Sequence, residues 1–153
     1  MFKYGTAYFF SERFNFFEGR ARMVKIKEIM TRNVITVKPD TSVEVIIKIL
    51  TVRKLTGIPV VDDDNTLLGI VSEKDLLGLL FKHEKLENMK AADYMTRDVE
   101  SFDIEDSLEH VCTFLLDQAF RRVTVVSEGK LMGIISRTDI IAYIYREYVK
   151  KKS

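Results

Sequence analysis

The sequence predicts an α/β (α+β) protein in which one β-α-β-β-α unit is used twice. Three observations carry this reading. First, Gly69-Ile70-Val71-Ser72-Glu73-Lys74-Asp75 returns as Gly133-Ile134-Ile135-Ser136-Arg137-Thr138-Asp139. Second, each copy reads as the end of a buried strand, then a Ser, an Asp three residues on, and an apolar helix. Third, the surrounding pattern keeps register: Ser42 and Ser107 lie 65 residues apart, and Ser72 and Ser136 lie 64 apart. That period is too long, with too few copies, for a solenoid.

The first unit is read from about Ile26 to Phe81. A short strand is expected over Val34–Val37, after Met30-Thr31-Arg32-Asn33. Pro39-Asp40-Thr41-Ser42 breaks it and starts a helix, with Thr41 or Ser42 as N-cap. Val43, Ile46, Ile47 and Leu50 then fall at i, i+3, i+4 and i+7, one buried face. Gly57 is expected to end the helical pattern. Ile58-Pro59-Val60-Val61 and Leu67-Leu68-Gly69-Ile70-Val71 read as two strands around an Asp62-Asp63-Asp64-Asn65 turn. Leu76, Leu77, Leu79 and Leu80 suggest a closing helix, and His83–Lys90 a polar connector.

The second unit repeats this order from about Ala91 to Tyr148. Met95-Thr96-Arg97-Asp98-Val99 echoes the first Met-Thr-Arg, and Ser107 takes the place of Ser42. Leu108, Val111, Cys112 and Leu115 repeat the helical spacing, so Cys112 is expected on the core face. Val123–Val126 and Leu131–Ile135 are strands around Ser127-Glu128-Gly129-Lys130, a turn one residue shorter. Ile140, Ile141, Tyr143 and Ile144 continue the last helix, and Lys150-Lys151-Lys152 suits its C-terminal dipole. With about 60 residues each, near the lower limit for a self-sufficient core, the units are expected to pack sheet to sheet about a pseudo-two-fold axis, with two related clefts. The segments are therefore 1–22, an aromatic arm; 23–83 and 91–149, the two repeats; 84–90, the connector; and 150–153, a basic tail.

Residues 1–22 hold eight aromatics: Phe2, Tyr4, Tyr8, Phe9, Phe10, Phe14, Phe16 and Phe17. Such a density is expected to pack on its own domain or on a sister subunit; an arm closing over a ligand or docking a partner is the sharper possibility. Met23 is a possible alternative start. Net charge is +1, with charged residues of both signs making up 31% of the chain, which argues against nucleic-acid binding. No apolar run approaches the ~20 residues of a membrane span, and the N-terminus lacks the apolar core of a secretory signal. One cysteine excludes an internal disulfide. The expectation is a cytoplasmic protein.

Met-Thr-Arg-x-Val, Pro-Asp-Thr-Ser-Val, Gly-Ile-Pro-Val-Val-Asp and Gly-Ile-Val-Ser-x-x-Asp together resemble the CBS domain family. The resemblance covers about residues 26–148. It implies a tandem CBS pair, or Bateman module, that binds an adenosine derivative between its repeats and regulates a partner. It also implies a homodimer, as a disc of four CBS repeats.

By itself, Ser-x-x-Asp at a helix start is a capping box. A carboxylate there can also accept two hydrogen bonds from a ribose diol, and the free amides favour an anion. The resemblance sets the Ser and Asp of this motif against ribose and phosphate. Arg121-Arg122, just before a strand, stands where the family often carries phosphate-binding basic residues, and arginine suits that role through its planar donor set. The same place in the first repeat is Thr56-Gly57. One cleft is thus expected to combine Ser72, Lys74 and Asp75 with Val99, Glu100, Arg121, Arg122 and Val123. The other would combine Ser136, Thr138 and Asp139 with Val34, Ile35, Thr56, Gly57 and Ile58. Apolar residues would sandwich the base. The first cleft is favoured for a phosphate-bearing ligand, although Glu100 at its base edge and Thr124 in place of Pro59 depart from the pattern. The second suits a less charged compound such as S-adenosylmethionine.

His83 and His110 lack metal-ligand spacing, no phosphate-binding P-loop is present, and no nucleophile–base set is suggested. Asp62-Asp63-Asp64 reads as a turn before a cation site, with magnesium kept open. The expected function is a regulatory sensor of AMP, ADP or ATP acting on another chain. It is not an enzyme, and no catalytic cofactor is expected. The alternatives are a ligand-free assembly module, or a sensor of S-adenosylmethionine, NAD or magnesium.

Overall fold

A computed structural model describes residues 23–153; the aromatic arm, residues 1–22, lies outside the described residues. Two small antiparallel-rich sheets and the helices around them make up the fold. In chain order the elements are α1 (Val43–Arg53), β1 (Gly57–Val61), β2 (Leu67–Ser72), α2 (Glu73–Leu76), α3 (Ala91–Tyr94), β3 (Ser101–Asp103), α4 (Leu108–Asp117), β4 (Arg122–Ser127), β5 (Lys130–Ser136) and α5 (Arg137–Lys152). Single 3-10 turns fall at Ile26–Glu28, Leu77–Phe81 and Leu86–Asn88. One sheet is the β1–β2 hairpin, and the other has the order β3-β4-β5.

The chain forms two compact units. Of the described residues, one holds 23–32, Phe102–Val125 and Gly133–Ser153; the other holds Asn33–Ser101 and Val126–Met132. These do not coincide with the sequence repeats. The core of the first unit combines Ile26 and Met30, from the start of repeat one, with Val111, Val125 and Ile135 of repeat two. The core of the second combines Met89 and Ala91, which lead into repeat two, with Ile46, Ile58, Val60 and Val71 of repeat one. Backbone hydrogen bonds fix each exchanged segment. The Leu108 amide donates to the Val24 carbonyl at 2.9 Å, and the Val43 amide to the Met89 carbonyl at 2.8 Å. Each bond satisfies an amide that a helix N-terminus would otherwise leave open. Ser42 and Ser107 cap those same helices through their hydroxyls, as the motif predicts.

Several expectations need correction. The strand expected over Val34–Val37 is a single bridge: Val37 pairs in parallel with Val60. Helix α1 ends at Arg53, not at Gly57. Lys54 adopts φ 53° and its amide closes on the Leu50 carbonyl, while Gly57 opens β1. The closing helix of repeat one is one α-turn followed by 3-10 structure. Gly78 within it lowers helix propensity, and of its leucines only Leu76 is buried, with Leu80 84% exposed. The connector is not wholly polar, because Met89 is buried at 3% exposure.

The helix face, the cysteine on the core side and both hairpin turns stand where the spacing puts them. The buried face of α1 carries Val43, Ile46 and Leu50. Cys112 packs against the first unit's core, and burial pushes its thiol pKa up. The second hairpin turns through Glu128 (φ 50°) and Gly129 (φ 77°). Asp62 makes the first turn: its carboxylate accepts from the Asp64 amide at 2.9 Å and the Thr66 amide at 2.8 Å. The Thr66 amide bond is the main reason its carboxyl titrates below the usual range. Among the described residues, no group of three or more His, Cys, Asp or Glu is arranged to hold a metal ion. No described helix is long and apolar enough to cross a membrane.

Candidate functional site

Each Ser-x-x-Asp turn is a complete capping box. In the second unit, the Asp75 Oδ2 atom accepts from the Ser72 amide at 2.7 Å and the Ser72 hydroxyl at 2.8 Å. In the first unit, Asp139 Oδ2 accepts from the Ser136 amide and hydroxyl, both at 2.7 Å. The other carboxylate oxygen receives a threonine hydroxyl: Thr96 to Asp75 Oδ1 at 3.2 Å, and Thr31 to Asp139 Oδ1 at 3.4 Å. A carboxylate oxygen can accept two hydrogen bonds. Each Oδ1 therefore keeps accepting capacity while its Oδ2 is held in place by the cap.

Thr31 and Thr96 join the candidate site through these bonds; both stand in the repeated Met-Thr-Arg, whose recurrence is the signal in the sequence that points to them. Each is set by a two-bond bridge to the strand that ends in the Ser. Thr96 exchanges backbone hydrogen bonds with Ile70 at 2.8 and 2.9 Å, and Thr31 does so with Ile134 at the same two distances. The glycine of each motif permits this crossing. A Cβ at Gly69 would sit 2.7 Å from the Thr96 carbonyl oxygen, and one at Gly133 would sit 2.7 Å from that of Thr31. The same added Cβ atoms would also sit 3.0 Å from the Met95 sulfur at Gly69 and 2.8 Å from the Met30 sulfur at Gly133. Gly-Ile-Val-Ser and Met-Thr-Arg are thus two sides of one local structure.

The family resemblance puts Arg121 and Arg122 in one cleft with Ser72 and Asp75. The backbone groups them with Ser136 and Asp139. The Arg137 amide donates to the Arg121 carbonyl at 3.0 Å, and the Glu73 amide likewise donates to the Thr56 carbonyl at 3.0 Å. The reason is hairpin geometry: the first residue of an antiparallel hairpin faces the last, as Gly57 faces Ser72 in the β1–β2 register. Thr56-Gly57 therefore sits at the Asp75 turn, and the arginine pair at the Asp139 turn.

The arginines are not equivalent. Arg137, inside the turn, spends its guanidinium on the C-terminal carbonyls of α4, donating to Leu115 at 3.0 Å and Gln118 at 3.1 Å. Arg122 has a buried Nε with no hydrogen-bond partner, alone in this among the buried side-chain N and O atoms of the described residues. A buried, unsatisfied donor of this kind costs about 1–3 kcal/mol.

The remaining expected residues separate by burial. Ile58 and Val123 are core residues, at 0% and 4% exposure, so their side chains serve packing. Val34 and Val99 are half-buried, while Ile35, Thr56, Lys74, Glu100, Arg121 and Thr138 are exposed. Val34, Ile35, Val99 and Glu100 all belong to the second unit.

Two hairpins, two Ser-x-x-Asp turns and two crossing Met-Thr segments define a tandem-repeat module of one class. The chain belongs to the CBS domain family, whose model matches residues 26–82 and 91–146. A structure of CBSX2 from Arabidopsis thaliana, solved in complex with AMP, is 33% identical, with a TM-score of 0.72 over 81% of this chain and 98% of that one. Protein MJ1225 of Methanocaldococcus jannaschii is 38% identical over 117 residues, which are 76% of this chain and 41% of that protein. The same organism's inosine-5'-monophosphate dehydrogenase is 32% identical over 121 residues, only 23% of the enzyme's length, and shares the CBS region alone. The chain thus spans only part of these curated relatives, including 58% of full-length CBSX2.

Proposed function

We propose that this CBS pair is a regulatory sensor of an adenosine nucleotide of the AMP, ADP or ATP class, and that its phosphate-bearing site is the one built on Asp139. The ribose diol bonds Asp139 Oδ1, and Arg122 takes the phosphate, with Arg121 adding charge. The observation that carries the reading is the buried, unpartnered Arg122 Nε on the strand whose entrance is tied to the Ser136 turn. A planar guanidinium with a free donor suits a phosphate oxygen. The AMP complex of CBSX2 supports the ligand class. The Asp75 turn, with Thr56-Gly57 in place of arginines, suits a less charged adenosine compound. The nucleotide shifts an existing equilibrium, and the reader of that shift is another chain, with a homodimer of the pair as the working assembly.

A thermal-melt panel of AMP, ADP, ATP, NAD, S-adenosylmethionine and adenosine tests this. A ligand at 100 times its Kd stabilises the fold by ~2.7 kcal/mol, a rise of roughly 5–10 °C for a chain of this size. Arg122→Ala is expected to weaken AMP tenfold or more and to leave adenosine nearly unchanged. No shift with any compound at millimolar concentration would sink the proposal, and an equal loss for AMP and adenosine would remove Arg122 from the phosphate.

A further inference from the structure

The hydrogen-bond acceptors of Asp139 leave a ribose diol one place short. An ionised carboxylate offers about four lone-pair positions, two on each oxygen. Both positions of Oδ2 are taken, by the Ser136 amide and the Ser136 hydroxyl at 2.7 Å. One position of Oδ1 is taken by the Thr31 hydroxyl at 3.4 Å. A single position remains, whereas a diol donates two hydrogen bonds. The Thr31 hydroxyl can supply the missing acceptor. Its proton points to Asp139, so the lone pairs of its oxygen stay open, and among the described residues no other hydrogen bond engages this side chain. The side chain is exposed, but its backbone is held by the two-bond bridge to Ile134 at 2.8 and 2.9 Å. Thr31, Ile134, Ser136, Asp139 and Arg122 all belong to one compact unit.

We propose that the ribose diol at this site is read by a pair of oxygens, Asp139 Oδ1 and Thr31 Oγ1, with one ribose hydroxyl donating to each. This rests on the Asp139 reading above and adds to it the residue that selects ribonucleotides over their deoxy forms. The two oxygens lie 3.4 Å apart, close enough to meet adjacent hydroxyls of one sugar ring. Thr31 donates to the carboxylate while it accepts from the ribose. Donation to an anion polarises the threonine oxygen and strengthens the bond that it accepts. At 3.4 Å the bond to Asp139 is also long for an O–H···O contact, so little is lost if the hydroxyl shifts toward the sugar. The crossing at Gly133 is what carries this hydroxyl to the turn, since a Cβ there would sit 2.7 Å from the Thr31 carbonyl oxygen.

Calorimetric titration of AMP, 2′-deoxy-AMP and 3′-deoxy-AMP into the wild-type full chain, Thr31→Val and Thr31→Ser tests this. In the wild type, each deoxy analogue should bind more weakly than AMP. Thr31→Val keeps the side-chain shape and removes the acceptor, and it should weaken AMP about fivefold, the worth of one neutral hydrogen bond. It should weaken one deoxy analogue by the same factor and leave the other as in the wild type, because that analogue lacks the hydroxyl that Thr31 accepts. Thr31→Ser should keep the wild-type affinity for AMP. Unchanged AMP affinity in Thr31→Val would overturn the proposal. So would an equal loss for all three ligands, since Thr31 would then only orient Asp139. The wild type decides even where the valine variant fails to fold: if both deoxy analogues bind as AMP does, no diol is read and the proposal is wrong. If AMP binding depends on Asp139 and Arg122 but not on Thr31, the sensor reading stands and this inference falls. If AMP does not bind at all, both fall.

Discussion

At Ser72–Asp75 and at Ser136–Asp139 the chain builds the same device: one carboxylate oxygen locked by the cap, the other accepting from a threonine hydroxyl. What differs is the residue pair that the hairpin brings to the turn, Thr56-Gly57 in one unit and Arg121-Arg122 in the other. The helices after the two serines differ as well: a four-residue α2 after Ser72, and a 16-residue α5 after Ser136. A duplicated framework can thus keep its carboxylate geometry twice while its arginine pair is placed once. Shared geometry and separate chemistry make different predictions, and the two turns can be tested against each other.

The largest effects should be equal at the two turns. Gly69→Val and Gly133→Val each drive a side chain into a backbone carbonyl 2.7 Å from the Cβ position. Overpacking of this kind typically costs 1–3 kcal/mol, and with a rigid neighbour each is expected near about 3 kcal/mol in urea unfolding. Gly57→Ala, whose nearest neighbours are 3.4 Å away, should cost below about 1 kcal/mol. If only one of the two motif glycines proves sensitive, the crossing segments are not equivalent.

A smaller and unequal pair comes from the caps. Ser136→Ala removes the hydroxyl that fixes Asp139 and starts the long α5. It should cost about 1 kcal/mol. Ser72→Ala starts only one α-turn and should cost about half as much, read from the same unfolding curves. Equal costs would mean that the cap acts on the carboxylate alone, without regard to the length of the helix it starts.

Much of this was legible in the residues. The two Ser-x-x-Asp copies, the Ser42 and Ser107 caps, the hairpin turns and the apolar face of α1 are short-range patterns, and they appear where their spacing puts them. The exchange of Met30-Thr31 and Met95-Thr96 between repeats was not legible, because it depends on contacts across the repeat boundary, 108 residues apart for Thr31 and Asp139 and 21 for Thr96 and Asp75. Thr31 to Asp139 is one such contact. A repeat in sequence looks like a unit in space, and here it is not. The grouping of the arginines was recoverable: Val123–Val126 and Leu131–Ile135 read as a hairpin, and a hairpin sets Arg121-Arg122 beside Ser136. The helix end at Lys54 was hidden because a non-glycine residue takes the left-handed conformation there.

The central claim is that the phosphate-bearing ligand belongs to Asp139. Calorimetric titration of AMP into the wild type, Asp75→Asn and Asp139→Asn tests it most directly. Loss of a charged hydrogen bond is worth ~1.5–3 kcal/mol, so Asp139→Asn should weaken AMP by about 10- to 100-fold while Asp75→Asn keeps the affinity. If Asp75→Asn loses AMP and Asp139→Asn binds as the wild type does, the arginine pair serves the other turn and the claim is wrong.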